Sequence, residues 1–133
     1  MSRALLAALA CCLAGCAVQS VNQCATHEEP AVNELIYFGT ETPEGVVSDE
    51  QWTSFLGEVV TPRFPQGLTT WRASGQWRSQ DGTLTREDSH VLNLVHPADA
   101  AHEKAIRELI GEYRKRFRQE AVLRVKSAAC SSL

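Results

Sequence analysis

The chain has 133 residues, enough for one domain with one hydrophobic core and no more. Its 13 basic and 16 acidic side chains leave a formal net charge of −3, so no basic field favours nucleic acid. Beyond the first residues no apolar run is long enough to cross a membrane.

Residues 1–15 carry one basic side chain, Arg3, followed by an apolar stretch over 4–13. This is the shape of a secretory signal peptide, too short to span a bilayer as a mature helix. The stretch closes with Leu13-Ala14-Gly15-Cys16, which resembles the lipobox of bacterial lipoproteins. The resemblance implies a diacylglycerol on the Cys16 sulfur, cleavage before Cys16 and acylation of its new amino group. It also implies an outer-membrane destination facing the periplasm, since Ala17 stands where a retention signal would carry Asp. Three acyl chains, at roughly 0.8 kcal/mol per buried CH₂, hold a domain at a membrane without any further contact. A soluble secreted chain cleaved near Ala17 is the alternative.

Residues 16–33 then form the lipidated cysteine and a flexible tether, polar and without period. Residues 34–126 form the folded domain. It opens with Leu35-Ile36-Tyr37-Phe38, an aromatic and β-branched run closed by Gly39, which predicts a strand. After a Pro/Gly loop, Ser48 and Gln51 make a capping box. Behind it Trp52, Phe55, Leu56, Val59 and Val60 fall on one face of a helix that Pro62 ends. Strands are expected over 68–78 and 84–96, joined at Asp81-Gly82, a hairpin signal. Pro97 and Asp99 open a second helix, with Ile106, Leu109, Ile110, Tyr113 and Phe117 inward. Arg114, Lys115, Arg116 and Arg118 offset the negative end of its dipole, or else meet anionic lipid or polysaccharide. A last strand covers 121–126, and 127–133 is a C-terminal tail. The order β-α-β-β-α-β predicts an α+β, ferredoxin-like fold: a four-stranded antiparallel sheet with two helices on one face.

Of five cysteines, Cys11 and Cys12 leave with the signal and Cys16 is taken by lipid. On that reading Cys24 and Cys130 remain, and outside the cytoplasm two spare thiols pair. Such a disulfide closes nearly the whole folded region into one loop, worth on the order of 4–5 kcal/mol. Two unpaired thiols in flexible tails are the alternative.

From Tyr37 to about Val125 the chain resembles DUF3574, a family of uncharacterised bacterial proteins. The likeness rests on Tyr37-Phe38-Gly39, on Ser48-Asp49 with Trp52 and Phe55, and on Thr61-Pro62-Arg63-Phe64-Pro65-Gln66-Gly67. Gly75-Gln76-Trp77-Arg78, Asp81-Gly82, Arg86-Glu87 and Tyr113 with Phe117 through Gln119-Glu120 extend it. Gln66 replaces the acidic residue expected in that turn. The resemblance implies secretion or lipid anchoring and brings no catalytic assignment.

A two-residue Asp81-Gly82 turn sets Trp77 opposite Arg86, Gln76 opposite Glu87 and Arg72 opposite Val91. Trp71, Ala73, Trp77, Leu84, Leu92 and Leu94 then face the helices. Arg72, Gln76 and Glu87 share the uncovered face with Val91 and Val95. With Tyr37 they are the candidate ligand or partner residues, since a guanidinium beside a carboxylate can orient a small polar ligand. The competing reading is a cross-strand ion pair worth under about 1 kcal/mol. His27, His90, His96 and His102 show no metal-ligand spacing, and no cofactor motif is present. The leading expectation is a non-enzymatic, lipid-anchored envelope protein that binds a ligand, a partner or a second copy through the uncovered sheet face. The alternative is a small periplasmic enzyme of dimeric α/β-barrel type with an Arg/Gln/Glu pocket.

Overall fold

A computed structural model describes residues 24–78 and 81–133. The signal peptide, Cys16 and Gln80 lie outside the described residues. Strand β1 spans Glu29–Gly39, β2 Glu41–Thr42, β3 Gly45–Val46, β4 Thr69–Arg78, β5 Leu84–His96 and β6 Leu123–Ser131. Helix α1 covers Asp49–Phe55 and α2 covers Ala100–Arg116. Four strands form one antiparallel sheet in the order β4-β5-β1-β6, the ferredoxin-like arrangement anticipated. The small β2–β3 ribbon was not anticipated. The first and last strands exceed the expected bounds: β1 starts six residues ahead of Leu35, and β6 runs through most of the expected tail to Ser131.

Helix α1 starts where the capping box requires. Ser48 Oγ accepts from Gln51 N–H at 3.3 Å, and the Gln51 side chain accepts from Ser48 N–H at 2.9 Å. It continues into a π turn over Leu56–Val60, closed by Thr61 N–H to Leu56 O at 2.8 Å. The wider turn buries Val59 and Val60 together, and Pro62 stops the run. The core joins Ile36, Phe38, Leu92 and Leu94 of the sheet to Trp52, Phe55, Ile106, Leu109 and Tyr113 of the helices. Phe38 sits at its centre, with ring centroids 4.6 Å from Tyr113 and 5.3 Å from Trp52. Tyr113 donates its hydroxyl to Gly39 O at 2.9 Å, and burial, then the nearby Glu87 charge, pushes that phenol above its ordinary range.

Helix α2 ends on Phe117, with Arg118 in the left-handed region at φ 54°. Gln119 N–H then reaches back to Arg114 O at 3.0 Å, the long bond of a Schellman ending. The basic cluster here has local acids. Arg116 pairs with Glu58 at 3.0 Å and lies over the Phe55 ring, and Arg118 pairs with Glu44. A disulfide joins Cys24 to Cys130 with Cα atoms 5.5 Å apart, where Pro30 of β1 lies opposite Cys130 of β6.

Candidate functional site

The expected register of the β4–β5 hairpin is off by one residue. Arg78 pairs with Leu84, Trp77 with Thr85, Gln76 with Arg86, Gly75 with Glu87 and Arg72 with His90. The cause is the turn. Asp81 Oδ1 accepts from Thr83 N–H at 2.9 Å and Gly82 takes φ 87°, so the Asp-Gly pair forms a local turn inside a five-residue connection. Because side chains alternate, a one-residue slip inverts all of β4.

Arg72 and Gln76 therefore lie on the helix side, and Glu87 with Tyr37 on the opposite face. The expected Arg72/Gln76/Glu87 cluster does not form. Arg72 instead pairs with Asp49 at the start of α1, at 3.1 Å with both side chains largely exposed. Gln76 is exposed opposite Arg86. Glu87 accepts from Glu41 N–H at 3.1 Å, at the end of the sheet beside Gly39, where any Cβ would collide with its carboxylate. Trp71 and Leu84 are not under the helices either: they are 44% and 51% exposed.

The inversion gives the uncovered face a different character. Trp71, Val91, Tyr37 and Leu123 form one row across all four strands, with Leu35 and Val125 in the next. Val91 is buried between its neighbours, while Trp71, Val95, Leu123 and Val125 are 44–60% exposed. This row is apolar rather than an ion-pair surface, and Asn93, which donates to Asn33 Oδ1 at 2.6 Å, stands beside it on the same face.

A second constellation, missed in the sequence, lies between β1, β6 and the first turn of α2. Glu34 follows the inward parity of Ile36 and Phe38 and is fully buried. Arg124 lies opposite Ile36 and grips the Glu34 carboxylate with two nitrogens, Nε to Oε2 at 2.8 Å and Nη2 to Oε1 at 2.5 Å. The same guanidinium donates to Glu103 at 2.8 and 2.7 Å, and Lys126 Nζ lies 3.3 Å from Glu103. The hydrogen bond from Arg124 is the main reason that Glu103 titrates as low as about 2. Asp99 caps α2 and holds the His102 ring at 2.7 Å, and His102 stacks on His96 with centroids 5.1 Å apart. A pocket of about 350 Å³ is lined by Glu34, His96, Asp99, Glu103 and Lys126. The available signal was a pair of opposite charges at inward positions of the first and last strands, hidden by starting β1 at Leu35.

His90 lies against Trp52 at 4.5 Å, ring planes 5° apart, and burial, then the Arg72 charge, holds it below the ordinary histidine range. It is a neutral, packed ring. Among the described residues the one close group of metal-ligating types is Cys24, Glu28 and Cys130, and its two sulfurs are joined as a disulfide.

Residues 33–133 match the family described as protein of unknown function, DUF3574. The chain belongs to DUF3574. No curated protein sequence matches this DUF3574 member. Among solved structures it is similar to a phage SAM lyase in complex with S-methyl-5'-thioadenosine. That likeness has 12% identity and a TM-score of 0.59 over 86% of this chain and 96% of that one. The apo state of a phage SAM lyase gives 14% identity and a TM-score of 0.55 over 86% and 97% of the two chains. CutA from Synechococcus elongatus gives 9% and 0.50 over 80% and 82%. At these identities the likeness is one of fold alone. The ferredoxin-like sheet with its two helices is thus the frame of this DUF3574 member.

Proposed function

We propose that this DUF3574 protein is a lipid-anchored component of the cell envelope that works by association rather than catalysis. A second copy covers the open sheet face. The observation that carries the reading is the apolar row Trp71, Val91, Tyr37 and Leu123, continued by Val125. Its edge members Trp71 and Leu123 are 44% and 60% exposed. A contiguous apolar sheet face left in water is costly, and a two-fold axis through its middle would match each row to its own copy. The Leu13-Ala14-Gly15-Cys16 stretch supports the anchor, Ala17 the outer membrane as destination. The catalytic alternative loses its support with the Arg72/Gln76/Glu87 cluster.

Solution mass over a concentration series tests the association, with Trp71→Ser/Leu123→Lys as the comparison. A dimer that becomes a folded monomer in the variant is the expected result; a wild-type monomer at high micromolar concentration overturns it. For the anchor, Cys16→Ser should leave the membrane fraction or stay uncleaved. Unchanged partition and processing would remove that half of the proposal.

A further inference from the structure

Two asparagines interrupt the apolar rows of the open sheet face. Asn93 of β5 lies opposite Leu35, and Asn33 of β1 lies opposite Val95, so the two amides meet on a diagonal of the β1–β5 ladder. Both side chains are half-buried. We propose that this amide pair fixes the two-fold axis by which a second copy covers the face, Asn33 bonding the partner's Asn93 and Asn93 the partner's Asn33. The proposal rests on the association read above and names the residues that set its geometry.

A backbone carbonyl settles how both amides point. Asn93 lies 2.8 Å from Glu34 O, and a carbonyl oxygen only accepts, so the atom facing it is the donor Nδ2. The same nitrogen gives its second hydrogen to Asn33 Oδ1 at 2.6 Å. What remains is one donor group, Asn33 Nδ2, and one acceptor, Asn93 Oδ1, neither with a partner among the described residues. In water both are hydrated. Beneath an apolar cover both would be stranded, which costs free energy unless matching groups arrive. An unrelated apolar partner leaves them unmatched. A second copy brings the same donor and acceptor in reverse order, and a two-fold axis crossing between the asparagines sets each donor against an acceptor. Sheets stacked face to face lie about 10 Å apart, a depth that two opposed asparagine side chains and one hydrogen bond fill. The apolar rows hold the copies together in any register, and the amides select one, as a lone buried asparagine does in a coiled coil.

Sedimentation equilibrium of the full chain tests this through the sign of one substitution. Asn33→Leu enlarges the apolar face, so without the amide clasp it should tighten the dimer. With the clasp it strands Asn93 Oδ1 in both halves of the interface, and dimerisation should weaken by about tenfold or more. Asn33→Leu/Asn93→Leu removes both groups and should restore association at least to the wild-type level. In the unsubstituted protein, the Asn33 side-chain amide hydrogens should exchange with solvent more slowly as concentration drives dimer formation. Unchanged or tighter association of Asn33→Leu, a double variant as weak as the single, or Asn33 hydrogens that exchange equally fast in monomer and dimer would overturn the proposal. A wild-type monomer removes the covering copy and the clasp together. A dimer that Trp71→Ser/Leu123→Lys breaks and Asn33→Leu leaves intact removes the clasp alone.

Discussion

Arg124 on β6 closes over the fully buried Glu34 of β1, with Nε 2.8 Å from Oε2, across 90 residues of sequence. It joins an edge strand to the central strand and, through Glu103, to α2. A buried ion pair of this kind contributes modestly over apolar residues of similar size, yet losing one member strands the other charge.

Arg124→Met should therefore cost about 3–5 kcal/mol in urea denaturation. The double variant Glu34→Met/Arg124→Met should recover most of that loss. A single-variant cost below about 1 kcal/mol would mean that solvent or Lys126 compensates Glu34.

Glu103 gives the network a pH signature. Its carboxyl is held at about 2 in the folded protein against an ordinary 4.5. A depressed carboxylate stabilises the fold above its unfolded value, and that contribution is lost as pH falls through the folded one. The melting temperature should thus drop between about pH 4.5 and 2. Glu103→Gln should start lower at pH 7 and fall less steeply in that window, as thermal melts across a pH series would reveal. Parallel curves would contradict the assignment.

Reducing or replacing the Cys24–Cys130 bridge should destabilise the domain by about 2–5 kcal/mol, consistent with the long loop that it closes. Melting with and without dithiothreitol measures this, and Cys24→Ser/Cys130→Ser should then be insensitive to the reductant.

Arg118 is a non-glycine residue at the left-handed position that ends α2. Arg118→Gly should stabilise by about 0.5–1 kcal/mol once its exposed ion pair with Glu44 is subtracted. Arg118→Val should destabilise by about 1 kcal/mol, since a β-branched side chain tolerates positive φ poorly. Identical melting temperatures for the two variants would place the constraint elsewhere.

The parts of the fold legible in the sequence were those written in local pattern. The Ser48/Gln51 box, the Trp52 and Phe55 face, and the Ile106, Leu109 and Tyr113 face each lie within one element and appear as read. The alternation of Leu92 and Leu94 against Val91 and Val95 also placed β5 correctly. β4 was inverted because its orientation depended on the length of one turn, and Trp71 appeared to belong inside. Edge strand β4 carries exposed Arg72, Ser74, Gln76 and Arg78 on its helix side, so no buried row there corrected the register. The Glu34–Arg124 pair was illegible for the opposite reason: its partners meet only when the first and last strands become neighbours.

The bridge at Cys24 also decides how the domain would carry mechanical load. Tension entering ahead of Cys24 meets a covalent fork. One branch leads into the start of β1, and the other crosses to Cys130 and the end of β6. The two strands are antiparallel neighbours, with Pro30 opposite Cys130, so both are drawn from the same end and in the same direction. Their shared ladder feels no sliding force, and the edge strand is not peeled away. Strain passes instead to the β1–β5 ladder, whose Ile36, Phe38, Leu92 and Leu94 lie in the buried core. Oxidation thus turns the outermost strand into part of the handle by which the domain is held.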